Sequence, residues 1–183
     1  MKNWKRIAWI TSALASPVVL AQTTGMSSSP SMSASGASGS DAAFVQQAAQ
    51  EHLAELELSK IAQNNSTNPV VINFARSTVR NETQANRVLR DLAAKKGIPV
   101  PEVPDPEHAA MLKILGSKSG SELDAYYTKD MARTDDEVIQ LYQSKSSDND
   151  RELASYAQSA LPQEEEHEKV AQQLADSTAR RAN

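Results

Sequence analysis

The sequence has 183 residues, with no cysteine, only six glycines and only 4% aromatic residues. Without cysteine the chain has no disulfide bond and no thiolate nucleophile or metal ligand. The glycines form no phosphate-binding loop of the G-x-x-x-x-G-K type, and no G-x-S-x-G nucleophile motif occurs. The sequence therefore lacks the common signatures of nucleotide-binding proteins and of serine or cysteine hydrolases.

Positively charged residues are also outnumbered. The chain has 19 Lys and Arg against 23 Asp and Glu, and its formal net charge is −4. Nucleic acids and anionic lipids repel a protein of this charge. We therefore expect neither of them as a main partner.

The N-terminus has the three parts of a secretory signal peptide, and we assign it to residues 1–21. Lys2, Lys5 and Arg6 precede an apolar stretch at residues 7–20, and Ala21 ends a small-residue cleavage site. The apolar stretch is shorter than the roughly 20 residues that a membrane-spanning helix needs. We therefore expect cleavage rather than a membrane anchor. The mature protein should be periplasmic or extracellular, without an integral membrane segment.

Residues 22–40 consist almost entirely of Ser, Gly, Ala, Thr, Met and Gln. A segment of this composition has too few large apolar side chains to build a core, so we expect a flexible linker. The folded domain should then occupy residues 41–183.

Beyond the linker, apolar residues recur at helical spacing, and little indicates a strand. Capping residues together with Pro and Gly signals predict four long helices and one short helix. The expected bounds are Asp41–Asn64 for helix A, Pro69–Lys96 for helix B after an Asn68 N-cap, Asp105–Gly116 for the short helix, Ser121–Ser146 for helix C with a capping box at its start, and Asp148 or Asn149 to Arg180 for helix D. Pro162 should kink helix D or divide it in two.

The lengths of the links between the helices predict the architecture. Helices A and B, and likewise helices C and D, are joined by short links and should form antiparallel hairpins. The link from B to C, residues 97–120, is long enough to run the length of a bundle. One long crossover between two hairpins is typical of an all-α, ferritin-like four-helix bundle, and an up-down bundle with a decorated loop is the alternative.

Each of the four long helices has an ionisable residue within its apolar stripe, near the middle of the helix. The most specific pattern is Glu164-x-x-His167, which places a carboxylate and an imidazole on the buried face of helix D. Helices that end in loops at the two ends of a bundle have their midpoints at similar heights, so these side chains should converge. The candidate metal ligands are Glu55, Glu82, Asp135, Glu164 and His167, with His52 as a further candidate.

Several ionised carboxylates in a dry core repel each other unless a metal ion or protons compensate their charge. Carboxylates with an imidazole suit iron or manganese, and facing helices that carry Glu and Glu-x-x-His ligands build dimetal centres. Helix B, however, lacks the second Glu-x-x-His of a full dimetal site. The alternative is that the glutamates lie at stripe edges and that His167 is a core histidine hydrogen-bonded to a carboxylate. His108, beside Asp105 and Glu107, should be exposed to solvent.

Short segments of the four long helices resemble a bacterial family of exported proteins, the domain-of-unknown-function family 4142. The similarity covers roughly residues 41–174 and follows the order and spacing of the family motifs. The matching segments are Leu53-Ala54-Glu55 in the first helix, Phe74-Ala75 in the second, Asp124-Ala125-Tyr126-Tyr127 in the third, and Leu161-Pro162 with His167 in the fourth.

The resemblance implies an exported, ferritin-like helical bundle, and it implies no biochemical activity. We therefore expect a binding role or a stress-related structural role in the cell envelope, and the alternative is a metal-binding bundle with a redox or storage function. The family pattern has Asp-His where this chain has Asn81-Glu82, and His where this chain has Asp135. Both differences replace a histidine by a carboxylate. Either the site is retuned toward oxygen ligands, or the role of the histidines is lost.

Overall fold

The computed structural model describes residues 38–182 of the protein. The expected signal peptide and nearly all of the expected linker lie outside the described residues, so both stay predictions. Within the described part the chain forms α-helices and no strand, which confirms the all-α prediction. None of these helices is long and apolar enough to cross a membrane. The helices are α1 Gly39–Asn65, α2 Pro69–Lys96, α3 Pro106–Gly116, α4 Gly120–Lys145 and α5 Arg151–Ala182.

Two helices begin earlier than the sequence analysis predicts. The N-cap of α1 is Ser38, and it forms a reciprocal capping box with Asp41, which was expected to be the N-cap itself. The N-cap of α4 is Ser119, whose side chain makes no capping hydrogen bond. The capping box predicted at Ser121 is therefore wrong. Both helices therefore begin before the residue that has the strongest capping signal in the sequence.

The other long helices follow their capping signals more closely. Asn68 caps α2, and Gly97 ends it with a φ of 67°, a left-handed conformation that glycine adopts without steric cost. The side chain of Asp150 accepts two backbone N–H hydrogen bonds at 3.0 and 3.1 Å from the first turn of α5. That helix therefore begins slightly later than expected. It continues through Pro162, so the predicted division there is wrong, and the predicted kink stays a prediction.

Side-chain pairs give the relative directions of the helices. Asp41 pairs with Lys145 at one end of α1 and α4, and Ser66 bonds to Asp124 at the other end, so these two helices run antiparallel. The short links make α1 and α2 one antiparallel hairpin and α4 and α5 another. Consequently α2 and α4 run in the same direction. The connection between them, residues 97–119, contains α3 and spans the length of the helical bundle.

The apolar core is divided into two clusters along the bundle, and each cluster receives residues from all four long helices. Each fully buried Leu or Phe side chain in such a cluster contributes about 1.5 to 3 kcal/mol to stability. On every long helix, the segment between the two clusters carries at least one buried ionisable side chain. One cluster includes Phe44, Leu89, Tyr142 and Leu153, and the other includes Leu58, Phe74, Leu123 and Met131.

Candidate metal centre

A polar layer separates the two apolar clusters, and all the ligands predicted from the sequence lie in it. The carboxylate residues are at most 2% exposed, and the side chain of His167 is 9% exposed. The structure therefore places every candidate in the interior of the bundle. The members of the polar layer are His52, Glu55, Thr78, Glu82, Asp135, Glu164 and His167.

Three of these side chains come together from three helices, and we call them the His167 group. Glu55 of α1, Asp135 of α4 and His167 of α5 each offer a ligand atom, and these atoms all lie within 4.8 Å of one another. His167 Nδ1 is 2.9 Å from Asp135 Oδ1. Glu55 Oε2 and Asp135 Oδ2 are buried without a hydrogen-bond partner. Because an unpartnered buried carboxylate oxygen is costly, these two atoms have the capacity to bind a cation.

Thr78 of α2 determines which nitrogen of His167 is available to a ligand. The Thr78 hydroxyl donates to the backbone oxygen of Phe74 at 3.1 Å, so its oxygen accepts the hydrogen of His167 Nε2, which is 2.8 Å away. With Nε2 as a donor, the protonated imidazole also donates its Nδ1 hydrogen to Asp135, and a metal ion that displaced this proton would meet the Nδ1 lone pair. Phe74 also stacks on the imidazole, with 4.7 Å between ring centroids. A metal-binding histidine commonly has its other nitrogen hydrogen-bonded in this way.

His52 lies in the same polar layer, but its two ring nitrogens already have partners. His52 Nδ1 is 2.5 Å from Glu82 Oε2, and His52 Nε2 is 2.8 Å from the Tyr142 hydroxyl and 3.2 Å from the Tyr156 hydroxyl. We call these four side chains the His52 group. Of the ligands predicted from the sequence, His52 and Glu82 are thus bound to each other rather than gathered into the His167 group.

Burial and mutual repulsion raise the pKa values of the carboxyl groups in the polar layer. Burial, followed by the charges of Glu82 and Asp135, raises the pKa of Glu55 well above its ordinary value. Burial, followed by the charge of Glu82, raises the pKa of Glu164 to about 7. Burial also raises the pKa of Asp135, against the opposing hydrogen bond from His167. Near neutral pH, the polar layer therefore holds protons when no other cation compensates its charge.

The two imidazoles of the polar layer are shifted toward their charged forms. Burial alone would lower the pKa of His52 and of His167. Hydrogen bonds and negative charge outweigh burial and raise both pKa values, mainly through Glu82 for His52 and through Asp135 for His167. The raised pKa of each imidazole therefore indicates a local excess of negative charge.

Glu164 lies beside the His167 group and faces the seam between α2 and α5. It lines a surface cavity of about 240 Å³ together with Asn81 and Tyr156. His167 lines a neighbouring cavity of about 590 Å³ whose wall is largely apolar and includes Val70. Glu164 and His167 are therefore the members of the polar layer that lie nearest the surface on the α2–α5 side.

Several members of the site were not recognised from the sequence. Thr78 stands on the same stripe as Glu82, one turn earlier, so its position could be predicted but its bond to α5 could not. Tyr142 and Tyr156 carry no sequence signal that distinguishes a hydroxyl facing a histidine from an ordinary core aromatic.

The prediction that His108 is exposed is wrong. His108 is 7% exposed; its Nε2 is 3.3 Å from Glu51 Oε2 and its Nδ1 is 3.1 Å from Asp105 Oδ2. The cause is the packing of α3 against α1, which covers the first turn of the short helix. Residues far apart in the sequence, Glu51 and His108, therefore form a third buried acid–imidazole contact.

Comparisons with known proteins place the chain in a family without assigning a function. No curated protein matches the sequence. The fold is similar to the crystal structure of a DUF305 fragment from Deinococcus radiodurans, with a TM-score of 0.69 and 17% sequence identity over 77% of this chain and 98% of that chain. At this identity the likeness shows the fold alone. Residues 26–174 match the family described as a domain of unknown function, DUF4142. The chain therefore belongs to the DUF4142 family.

Proposed function

We propose that this protein binds a divalent first-row metal ion, iron or manganese, through Glu55, Asp135 and His167. The observation that carries the proposal is the convergence of one ligand atom from each residue within 4.8 Å, together with two buried carboxylate oxygens that have no other partner. Two carboxylates and an imidazole are a suitable donor set for Fe²⁺ or Mn²⁺. The ion would compensate the repulsion between buried carboxylates, which otherwise opposes folding.

The charge of the polar layer favours the binding of a cation with more than one positive charge. Its four carboxyl groups outnumber its two imidazoles, so with all of the carboxyl groups ionised the layer is negatively charged even when both imidazoles are protonated. A metal ion would compete with the protons that the raised pKa values retain, and metal affinity should therefore increase with pH. The carboxyl groups are those of Glu55, Glu82, Asp135 and Glu164, and the imidazoles are those of His52 and His167.

Each side chain of the site has a distinct role in this proposal. Glu55 and Asp135 would be anionic ligands, and His167 would bind through Nδ1 while Thr78 holds its Nε2 hydrogen. Glu164, at the α2–α5 seam, would add negative charge where an ion enters. Iron held by such a set supplies redox chemistry, whereas either metal serves a binding or storage role.

The setting that we propose for this site is an exported, ferritin-like four-helix bundle. The parallel course of α2 and α4, joined by one long connection, supports it, because a single long crossover is the ferritin-like arrangement. The basic and apolar N-terminal segment supports export. Holding iron or manganese outside the cytoplasm would then be the binding or stress-related role expected from the sequence.

The proposal is tested by calorimetric titration of the mature protein with Mn²⁺ and, without oxygen, with Fe²⁺. We expect about one ion per chain, and we expect the double variant Glu55→Gln/Asp135→Asn to weaken binding at least about 100-fold, because two anionic ligands become neutral. The matched control is Glu57→Gln/Asp136→Asn. It removes the same charges from solvent-accessible positions of the same helices and should bind like the wild type.

The rival hypothesis is that only protons compensate the polar layer and that its role is structural. Sub-stoichiometric metal in the wild-type protein, or binding that Glu55→Gln/Asp135→Asn leaves unchanged, would support that rival and contradict metal binding at the His167 group.

A further inference from the structure

Glu51 and His108 form a buried polar pair beside a surface groove of about 800 Å³. Neither residue belongs to the proposed metal centre. The groove is bounded by α1, by the extended link after α2, by the first turn of α3 and by α4. Its lining includes Glu51, Pro99, Pro101, His108, Arg133 and Glu137.

Hydrogen bonds from two helices hold the extended wall of the groove in place. Gln50 of α1 accepts from the backbone N–H of Asp105 at 2.9 Å and donates to the backbone oxygen of Val103 at 3.4 Å. Arg90 of α2 donates to the backbone oxygen of Pro101 at 2.8 Å. The groove is therefore a built feature of the fold and not a gap beside a loose link.

Glu51 and His108 are among the residues that line this groove, and each has a buried polar atom with unused hydrogen-bonding capacity. Glu51 is 5% exposed and His108 is 7% exposed, yet Glu51 Oε2 and His108 Nδ1 have no aligned hydrogen-bond partner. The 3.3 Å separation between Glu51 Oε2 and His108 Nε2 allows charge attraction without the alignment of a hydrogen bond. A buried carboxylate in this state can accept hydrogen bonds from a ligand in the groove.

The groove carries an excess of negative charge. Its four carboxylates outnumber its two basic groups, which are the guanidinium of Arg133, paired with Glu137 at 2.6 Å, and the imidazole of His108, whose pKa is raised by Glu51 and Asp105. The backbone N–H of His108 lowers the pKa of Asp105, so this carboxylate is ionised at neutral pH. The carboxylates of the lining are those of Glu51, Asp105, Glu107 and Glu137.

These features favour an organic cation over a metal ion. Among the residues that the structure describes, the His167 group brings three ligand atoms close enough together for a metal ion. The side chains of the groove do not converge in this way. Pro99, Val100 and Pro101 form an apolar wall beside the carboxylates, and such a wall suits methylene groups.

We propose that the groove binds a primary alkylammonium group, with Glu51 accepting its hydrogen bonds and the wall at residues 99–101 covering its methylene groups. Linear diamines and lysine side chains share this chemistry. The second ammonium group of a diamine would reach a carboxylate at the rim, Glu107 or Glu137. This site is separate from the metal centre and does not depend on it.

The test is a calorimetric titration of the mature protein, freed of metal and kept at low salt, with 1,4-diaminobutane, n-butylamine and a lysine-containing tripeptide. We expect saturable binding of the diamine and about tenfold weaker binding of the monoamine, which lacks the second charge. Glu51→Gln keeps the shape of the side chain and should weaken diamine binding at least about tenfold. The matched control Glu57→Gln, on the same helix but outside the groove, should bind the diamine like the wild type.

A second variant keeps the proposal testable if Glu51→Gln fails to fold. The double variant Glu107→Gln/Glu137→Gln neutralises both solvent-accessible rim carboxylates and should weaken binding of the diamine but not of the monoamine. Tighter binding of the tripeptide would identify a lysine side chain as the source of the ammonium group, and tighter binding of the diamine would identify a small molecule; each result supports the proposal.

Three results would overturn the proposed ammonium site. One is the absence of saturable binding of every ammonium compound at millimolar concentration. Another is diamine binding that Glu51→Gln leaves unchanged. The third is displacement of the diamine by Mn²⁺ in the Glu55→Gln/Asp135→Asn background, which would show that the groove takes a metal ion instead.

Discussion

The His52 group and the His167 group each join an imidazole to a buried carboxylate in the polar layer, and they differ in how their polar atoms are satisfied. In the first, the imidazole bridges Glu82 at 2.5 Å and a tyrosine hydroxyl at 2.8 Å. In the second, one carboxylate oxygen each of Glu55 and Asp135 has no partner. Burial of Glu and His alone therefore does not identify metal ligands. Unused hydrogen-bonding capacity separates a binding site from a structural pair.

Removing the imidazole of the His52 group should have the largest effect on stability. His52→Ala leaves the buried carboxylate of Glu82 without its partner, so the free energy of unfolding of the metal-free protein should fall by about 3 to 5 kcal/mol. Denaturant unfolding measures this change. The double variant His52→Ala/Glu82→Leu should recover part of the loss, because it removes the stranded charge. A loss below about 1 kcal/mol for His52→Ala would contradict the structural role of this group.

A substitution in the His167 group should have the opposite sign. Glu55→Leu removes a buried carboxylate that has an unpartnered oxygen, so the metal-free protein at pH 7.5 should gain about 2 to 3 kcal/mol of stability. Saturating Mn²⁺ should stabilise the wild type and leave this variant unchanged. Denaturant unfolding with and without Mn²⁺ measures both effects, with Glu57→Leu as the control on the same helix. Destabilisation by Glu55→Leu in the absence of metal would erase the distinction between the two groups.

The stability of the metal-free protein should depend on pH through the raised pKa values of the polar layer. Burial raises the folded pKa values of Glu55, Asp135 and Glu164 above their unfolded values. Their contribution to stability is therefore full below the unfolded values and is lost as pH rises through the folded ones, about 7 for Glu164. The raised pKa values of His52 and His167 act with the same sign.

Denaturant unfolding should accordingly give about 2 kcal/mol less stability at pH 7.5 than at pH 5. Saturating Mn²⁺ should remove or reverse this dependence, because the ion replaces the protons. Equal stability at the two pH values without metal would mean that the carboxylates do not form a coupled buried layer.

The smallest predicted effect concerns Thr78, which contacts His167 and would not touch the metal. Thr78→Val removes the acceptor of the Nε2 hydrogen, so Mn²⁺ affinity should fall about tenfold while stability changes by less than about 1 kcal/mol. Thr83→Val is the matched control, since Thr83 makes the same kind of bond to a backbone oxygen of α2, at 2.6 Å, on the exposed face. Equal Mn²⁺ affinities for the two variants would contradict the positioning role of Thr78.

Local signals predicted most of the helical framework. The helix α2 begins after Asn68 and ends at Gly97, as the sequence predicts. Both predictions succeed because N-capping and the left-handed glycine depend only on neighbouring residues. Pro162 is the counterexample. Its missing N–H disfavours a helix interior, yet α5 continues through it, since packing along the whole helix outweighs one local defect.

The candidate site could be predicted only in part, for a physical reason. Helical spacing located the polar layer, because burial repeats with the helical period. It could not tell that Glu82 pairs with His52 while Glu55 and Asp135 meet His167, because this depends on helix rotation and on side-chain rotamers. His108 was misjudged for a similar reason: its burial arises from the packing of the long connection on α1, between residues distant in the sequence.

The most direct test of the central claim is an anomalous difference map from crystals of the mature protein grown with Mn²⁺. We expect one peak, about 2.2 Å from a carboxylate oxygen of Glu55, an oxygen of Asp135 and Nδ1 of His167. The hydrogen bond between His52 and Glu82 should be unchanged in the same crystal. A peak bound instead by His52 and Glu82, or no peak in the polar layer at saturating Mn²⁺, would contradict the assignment of metal binding to the His167 group.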